Sequence, residues 1–159
     1  MNKQFDSSSN TNAALQHHDR GYHPIPIPKG KKSPVPTGLT GYAGRNLTRS
    51  EIEKGDWSGN TALRLPPGVI GIDKDDYAGK EGTAIIARLE AELGALPPAP
   101  MLHSGREDGS GILLFRVPDD TMLTTAIAGG VEFIQWFHRY AMAPPSMHPE
   151  GRLYGCTDS

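Results

Sequence analysis

The chain has 159 residues, of which 36% are hydrophobic and 21% charged, with a formal net charge of -2 at pH 7. That size suits one domain, or one with a small appendage, and the charge balance does not advertise nucleic acid, although a local basic patch is still compatible with it. A single cysteine, Cys156, excludes a disulfide framework and a cysteine-built zinc site within the chain, and nothing near it argues for a nucleophile. The polar opening MNKQFDSSSNTN has no apolar core of a signal peptide, and no apolar run reaches about 18 residues, so a cytoplasmic protein with no membrane span is expected. The 19 glycines and 14 prolines predict long loops.

Residues 1–12 are rich in Ser and Asn and predict an unstructured tail, followed by a short helix over 13–22 with Asn12 as its N-cap. Residues 1–20 therefore read as an appendage and 21–155 as the folded domain, with 156–159 as a tail. The segment HPIPIPKGKKSPVPTG carries too many prolines for a helix or a central strand, and predicts an extended arm lying over the domain. Lys29, Lys31 and Lys32 cluster in it, either as a solvated loop or as a contact for phosphates. Thr48 and Glu51 have the spacing of a capping box, opening a short helix that stops at Gly55. Asn60–Leu65 alternates like a strand, and after Pro66-Pro67-Gly68 the run VIGID suits a buried one.

Residues 81–94 follow a helical period, with Ile85, Ile86, Leu89 and Leu93 on one face, Gly94 as the stop and Pro97-Pro98 beyond it. ILLFRVP (112–118), VEFI (131–134) and RYAMA (139–143) predict three further strands, and the segment after Ala143 reads as loop. The order is strand, strand, helix and three strands after an irregular, proline-rich N-terminal arm. The expected fold class is α+β, a mixed or antiparallel sheet with helices on one side.

Chemistry concentrates in GVIGIDKDD. Alternation along a strand puts Asp73 and Asp75 on one face, about 7 Å apart, while Asp76 points away as a surface or turn residue. Two carboxylates leaving a buried strand end together repel, and a hard, oxygen-liganded divalent cation relieves that repulsion. Asp-x-Asp also recurs in ordinary turns, so the weight comes from a third carboxylate, Glu132, at the start of another apolar strand. Three such carboxylates could clamp two metal ions. The stretch HSGREDGSGILLF runs from a Gly/Ser-rich loop into a strand. Its small residues, with Ser104 and Ser110, let backbone N–H groups approach a phosphate that Arg106 could pair. HRYAMAPPSMHPEG adds His138, Arg139, Ser146 and His148 around a Pro-Pro-Ser turn, a candidate ligand-facing loop.

Taken in order, Lys31 to Pro34, the strand from Asn60, GIDKD, the helix ending LGALP, SGREDGSGILLFRVP, GVEFI and APPSMHPEGRLYG resemble the bifunctional primase–polymerase N-terminal domain of prophages and plasmids, within the archaeo-eukaryotic primase superfamily. The resemblance runs from about Gly21 to Tyr154. It implies a module whose RRM-like sheet carries the active site. The family's Asp-x-Asp motif falls on Asp73 and Asp75 and its later acidic residue on Glu132, which implies ligands for two Mg²⁺ or Mn²⁺ ions. The family's middle motif ends in a His that contacts the nucleotide phosphates. Here that stretch is Ser110-Gly111-Ile112, with Ile112 in place of the His, leaving Arg106, His138 or Arg139 to take over the contact.

The family's Pro-Pro-Ser-x-His segment, which borders the nucleotide, falls on Pro144, Pro145, Ser146 and His148. Family domains continue past the Tyr-Gly equivalent, whereas this sequence stops at Ser159; a minimal form, a split gene's first product and a remnant are all compatible with that.

The implied activity is template-dependent nucleotidyl transfer in DNA replication, with nucleoside triphosphates as substrates, single-stranded or primed DNA as template and a replicative helicase as partner. Ser104, Arg106, Ser110, His138, Arg139, Ser146 and His148 would hold the nucleotide. Lys29, Lys31, Lys32 and Arg45 would hold DNA. Two other classes stay open: a non-catalytic nucleotide- or DNA-binding module, favoured by Ile112, and a metal-dependent nuclease, which strand-end carboxylates serve equally well.

Overall fold

The computed structural model describes residues 7–158, and residues 1–6 of the unstructured tail expected over 1–12 lie outside them. In chain order the elements are α1 (Ser7–Asp19), β1 (His23–Ile27), α2 (Arg49–Lys54), β2 (Asn60–Arg64), β3 (Val69–Lys74), α3 (Gly82–Leu93), β4 (Met101–His103), β5 (Gly111–Arg116), β6 (Ala126–Ala128), β7 (Val131–Ile134), β8 (Ala141–Ala143) and β9 (Gly155–Thr157). The strands form two sheets, not one. β1-β2-β8 make a small sheet and β6-β7-β3-β5-β4-β9 a larger one, with antiparallel pairing throughout. The α+β class holds.

Strand alternation explains the layout of the large sheet. Ile72 on β3, Leu113 and Phe115 on β5, and Val131 and Phe133 on β7 share a face, and Ile85, Ile86 and Leu89 of α3 pack against it. Leu93, expected on that apolar face, is 81% exposed at the helix end instead. The alternate residues Ile112, Leu114 and Ile134 turn to the other face, where they meet Leu65 and Ala141 beside the small sheet. Gly71 sits in this second layer because a Cβ there would come within 2.7 Å of Ile112 Cγ2 and 3.3 Å of Ile134 Cβ. The sheet is thus dry and helix-covered on one side, and opens toward the small sheet on the other.

The proline-rich arm contains a strand after all. β1 pairs with β2 in the register Pro24↔Leu63, Ile25↔Ala62 and Pro26↔Thr61. Pro24 and Pro26 share one parity, so the N–H groups they lack fall on the outer edge of the sheet, and Ile25 supplies the inward donor. A strand with this composition is possible only at an edge. Its apolar residues Ile25 and Ile27 form a core with Leu39, Ala62 and Met142.

α1 starts at Ser7 and ends at Asp19, so residues 7–12 are helical and Asn12 lies inside the helix rather than capping it. Tertiary packing overrides the polar composition here: Ala14 is fully buried against Ile52 and Trp57, and Asn10 Nδ2 donates to Trp57 O at 2.9 Å. α2 has the expected capping box, with Thr48 N–H donating to Glu51 Oε2 at 2.8 Å. β5 covers Gly111–Arg116 rather than 112–118, and β8 covers Ala141–Ala143 rather than 139–143. The segment after Ala143, expected as loop, contains β9, which completes the large sheet beside β4.

Arg64 is the other organising feature. It is only 5% exposed. Its guanidinium donates to Trp136 O at 2.7 Å, Gly44 O at 2.8 Å, Gly41 O at 2.9 Å and Asn46 Oδ1 at 2.9 Å. A buried cation is tolerated when every direction finds an acceptor. No described helix is long and apolar enough to cross a membrane.

Candidate active site

The open face of the large sheet carries the carboxylates. Asp73 on β3 lies in register opposite Glu132 on β7 and opposite Ile112 on β5. Directly opposed residues on one face have Cβ atoms about 4.5–5.5 Å apart. Asp75 follows just past the end of β3, where its backbone is fixed from both sides. Asp75 N–H donates to Gly130 O at 2.7 Å, and Gly82 N–H donates to Asp75 O at 2.9 Å. Only glycine lets α3 come this close, since a Cβ on Gly82 would stand 2.7 Å from Asp75 N and 2.8 Å from Gly130 O. Gly82→Ala is expected to cost about 1–3 kcal/mol by pushing this backbone apart. A thermal melt within about 1 °C of the parent would contradict that.

Asp73, Asp75 and Glu132 line one cavity of about 620 Å³. Cations face them. Lys80 Nζ is 2.6 Å from Asp75 Oδ2, while Arg139 Nε and Nη2 approach the two oxygens of Glu132 at 2.9 and 3.2 Å. This paired grip comes from a residue in left-handed backbone, φ 63° at Arg139. Asp73 has neither partner. Burial first, then the facing charges of Asp75 and Glu132, push its carboxyl up from 3.8 to about 6. Asp76 turns away as expected, and its carboxylate accepts from Thr83 N–H at 2.9 Å at the start of α3, a helix whose N-cap Glu81 makes no side-chain cap bond.

The opposite wall and floor come from several segments. Lys32, Ser104, Arg106, Ser110 and Tyr154 all line the same cavity. Arg106 lies over the Tyr77 ring at 4.3 Å, between Asp108 at 3.3 Å and Glu150 at 4.0 Å. Ser110 is buried, and its hydroxyl accepts from Asp76 N–H at 2.9 Å, so it braces the loop rather than facing a ligand freely. Among the described residues Tyr154 Oη has no hydrogen-bond partner, and burial pushes this phenol up to about 12.

Other expected site residues lie elsewhere. Ser146 is fully buried, accepting from Thr61 N–H at 2.7 Å and donating to Thr61 O at 3.0 Å, so it stitches the Pro-Pro-Ser turn onto β2. His148 stands behind the cavity, its Nδ1 accepting from Glu150 N–H at 3.2 Å, and burial lowers its pKa. His138 closes the β7–β8 turn through its backbone and does not line the cavity. Lys29 borders a separate recess of about 370 Å³ beside the proline arm, and Lys31 is exposed outside the main cavity. Arg45 is taken by Glu51 at 2.9 Å. Of the four cations expected to hold DNA, Lys32 alone reaches the main cavity.

Lys80, Tyr77, His103, Tyr140, Glu150 and Tyr154 also line the cavity, although no sequence motif assigns them to it. Lys80 had a signal, lying five residues after Asp75 in the same turn, and His103 ends β4 next to the strand that carries Ile112.

An open cavity with acids along one strand pair and Lys and Arg side chains around them is suited to an anionic ligand whose charge is handled on both sides. The three carboxylates are hard oxygen donors and, through Asp73, crowd one another enough to resist ionisation, so their chemistry fits Mg²⁺ or Mn²⁺. Among the described residues no three His, Cys, Asp or Glu side chains already converge as a coordination sphere, since Lys80 and Arg139 take one carboxylate each. The model of the bifunctional DNA primase/polymerase N-terminal family matches residues 14–159, and the chain belongs to that family. No curated protein matches it.

Proposed function

We propose that this chain is a DNA-dependent nucleotidyltransferase that initiates or extends a strand during DNA replication, acting at the Asp73–Asp75–Glu132 face. The observation that carries the reading is the in-register pairing of Asp73 with Glu132 on the floor of a cavity lined by Lys and Arg side chains, in a chain of the primase–polymerase family. On this reading the six-stranded sheet is the counterpart of the family's RRM-like sheet. Asp73, Asp75 and Glu132 would hold two Mg²⁺ or Mn²⁺ ions, which when bound supply activation of the attacking hydroxyl and neutralisation of the leaving pyrophosphate.

The chain's own residues would do the rest. Arg106, braced over Tyr77, and Lys32 would bind the triphosphate as positioned charges. Arg139 and Lys80, which pair the carboxylates in this structure, would turn to phosphate oxygens once those carboxylates are otherwise engaged. Tyr154, which lines the cavity while its buried hydroxyl has no partner among the described residues, would turn that hydroxyl to the sugar or a phosphate oxygen. The family's phosphate-binding His has no counterpart at Ile112, whose apolar side chain lies beside Asp73 on the open face. That residue favours the second reading, a module that binds template or nucleotide without chemistry.

Primer extension decides between them. With labelled nucleotides and Mg²⁺ or Mn²⁺, the parent should extend a primed template, and Asp73→Asn and Glu132→Gln should each lose at least about 100-fold in rate. A folded parent that binds nucleotide or template but never extends sinks the enzymatic reading. Degradation of labelled DNA in the absence of nucleotides would make it a nuclease.

A further inference from the structure

The link from β7 to β8 begins with a tight turn closed by a two-residue hairpin, with Gln135 N–H donating to His138 O at 3.0 Å and His138 N–H to Gln135 O at 2.9 Å. Trp136 and Phe137 occupy its tip. Such tips favour Gly, Asn and Asp, so two large aromatics there are not explained by turn chemistry. They do not fold back into a core either. The Phe137 ring stacks on Tyr42 with centroids 4.6 Å apart and 13° between planes, and Trp136 meets Tyr42 and Phe137 edge-on at 5.3 and 5.2 Å. Tyr42 is 64% exposed, and among the described residues it is the one exposed Phe, Tyr or Trp.

One buried side chain builds this cluster. Arg64 holds the hairpin by Trp136 O and the loop carrying Tyr42 by Gly41 O and Gly44 O, and its guanidinium lies 5.8 Å from the centre of the Trp136 ring. The two aromatic segments are therefore fixed relative to each other before any ligand arrives. The cluster also adjoins the cavity along the chain, because Arg139, bound to Glu132 in the cavity wall, follows Phe137 by two residues.

We propose that Tyr42, Trp136 and Phe137 form a stacking platform for unpaired bases of a single-stranded DNA template on its way to the cavity; this rests on the nucleotidyltransferase reading above. The chemistry fits that occupant: the rings are aromatic rather than aliphatic, and the Arg139 guanidinium follows two residues after Phe137 as a charge suited to a phosphate backbone. Stacking on the exposed Tyr42 ring and the half-buried Trp136 and Phe137 rings beside it also accepts any base, as a template channel requires.

Intrinsic fluorescence tests it. The chain has two tryptophans, of which Trp57 is 2% exposed and Trp136 belongs to the platform. Oligothymidylate should quench tryptophan emission at about 0.2 M salt, where phosphate contacts alone are weak. Trp136→Phe should abolish the quenching. Tyr42→Ala and Phe137→Leu should weaken binding of a labelled oligonucleotide about tenfold each, with an unchanged dependence on salt. Unaltered affinity in both variants, or quenching that persists in Trp136→Phe, overturns the platform. Concentration-dependent self-association of the parent, relieved by Tyr42→Ala, without quenching by oligonucleotide, would make the patch a protein contact and likewise overturn it. Primer extension keeps the two readings apart. Extension with no quenching removes the platform alone, while quenching by a parent that never extends leaves the platform standing and removes the polymerase.

Discussion

Asp73→Asn is expected to stabilise the metal-free protein at about pH 8 by roughly 2 kcal/mol while removing the nucleotidyl transfer proposed for it. Burial and the neighbouring Asp75 and Glu132 charges raise the Asp73 carboxyl from 3.8 to about 6. A tenfold change in an acid's dissociation constant corresponds to about 1.36 kcal/mol, and partial contact with solvent in the cavity trims the total. The sign follows from proton uptake. Below 3.8 the group is protonated whether the chain is folded or not, and it has no effect. Between there and about 6 the folded state retains a proton that the unfolded chain has given up, so stability drains away as pH rises. Above about 6 the full penalty is present.

Urea melts of parent and variant in chelator should therefore coincide near about pH 3.5 and diverge toward about pH 8, with the variant the more stable. A variant weaker than the parent at both ends would show that Asp73 is held by contacts rather than strained by its neighbours. Adding Mn²⁺ should raise the melting temperature of the parent and leave that of the variant unchanged, since a ligand that binds only the folded state stabilises only the protein able to bind it.

The largest loss of stability is expected at Arg64. Arg64→Met deletes the donors to Trp136 O, Gly41 O, Gly44 O and Asn46 Oδ1 at once, leaving acceptors stranded under a residue that is 5% exposed. Losing four hydrogen bonds from a charged donor at once puts the cost at about 3–5 kcal/mol. For a chain of this size that lowers the melting temperature by about 10 °C. Arg64→Lys should recover only part of it, since an ammonium lacks the planar fork that reaches two segments together. A methionine variant within about 1 kcal/mol of the parent would show that water replaces the guanidinium without loss.

How legible the molecule was depends on the kind of signal. GVIGIDKDD and GVEFI carried both halves of the acid pair because strand alternation and burial act locally: once Ile72 and Val131 turn toward α3, Asp73 and Glu132 must share the other face. The capping box at Thr48 and Glu51 was equally local. What could not be read was the pairing of short strands. β4, β6 and β9 have three residues each, too few for any period, and exist because β5, β7 and β4 in turn offer them partners.

The same blindness misplaced Ser146. A serine next to two prolines looks ligand-facing, and only the long-range contact with Thr61 makes it a fastener. Asn60–Leu65 alternates like a half-exposed strand, yet every residue of β2, Arg64 included, is buried because the strand is central in its sheet. Lys80 and Tyr154 reach the cavity from a turn and a C-terminal loop, and sequence spacing says nothing about where such segments come to rest.

The prolines of β1 have one more effect, on association between molecules. An open sheet margin is a template on which a second chain can add a strand, and sustained growth there leads to aggregates. Pro24 and Pro26 leave the outer margin of β1 without two of the donors such growth needs. The other margins are blunted differently, since β8, β6 and β9 run for only three residues each. Among the described residues, two sheets with four free margins thus offer no long, regular ladder on which a second copy could grow.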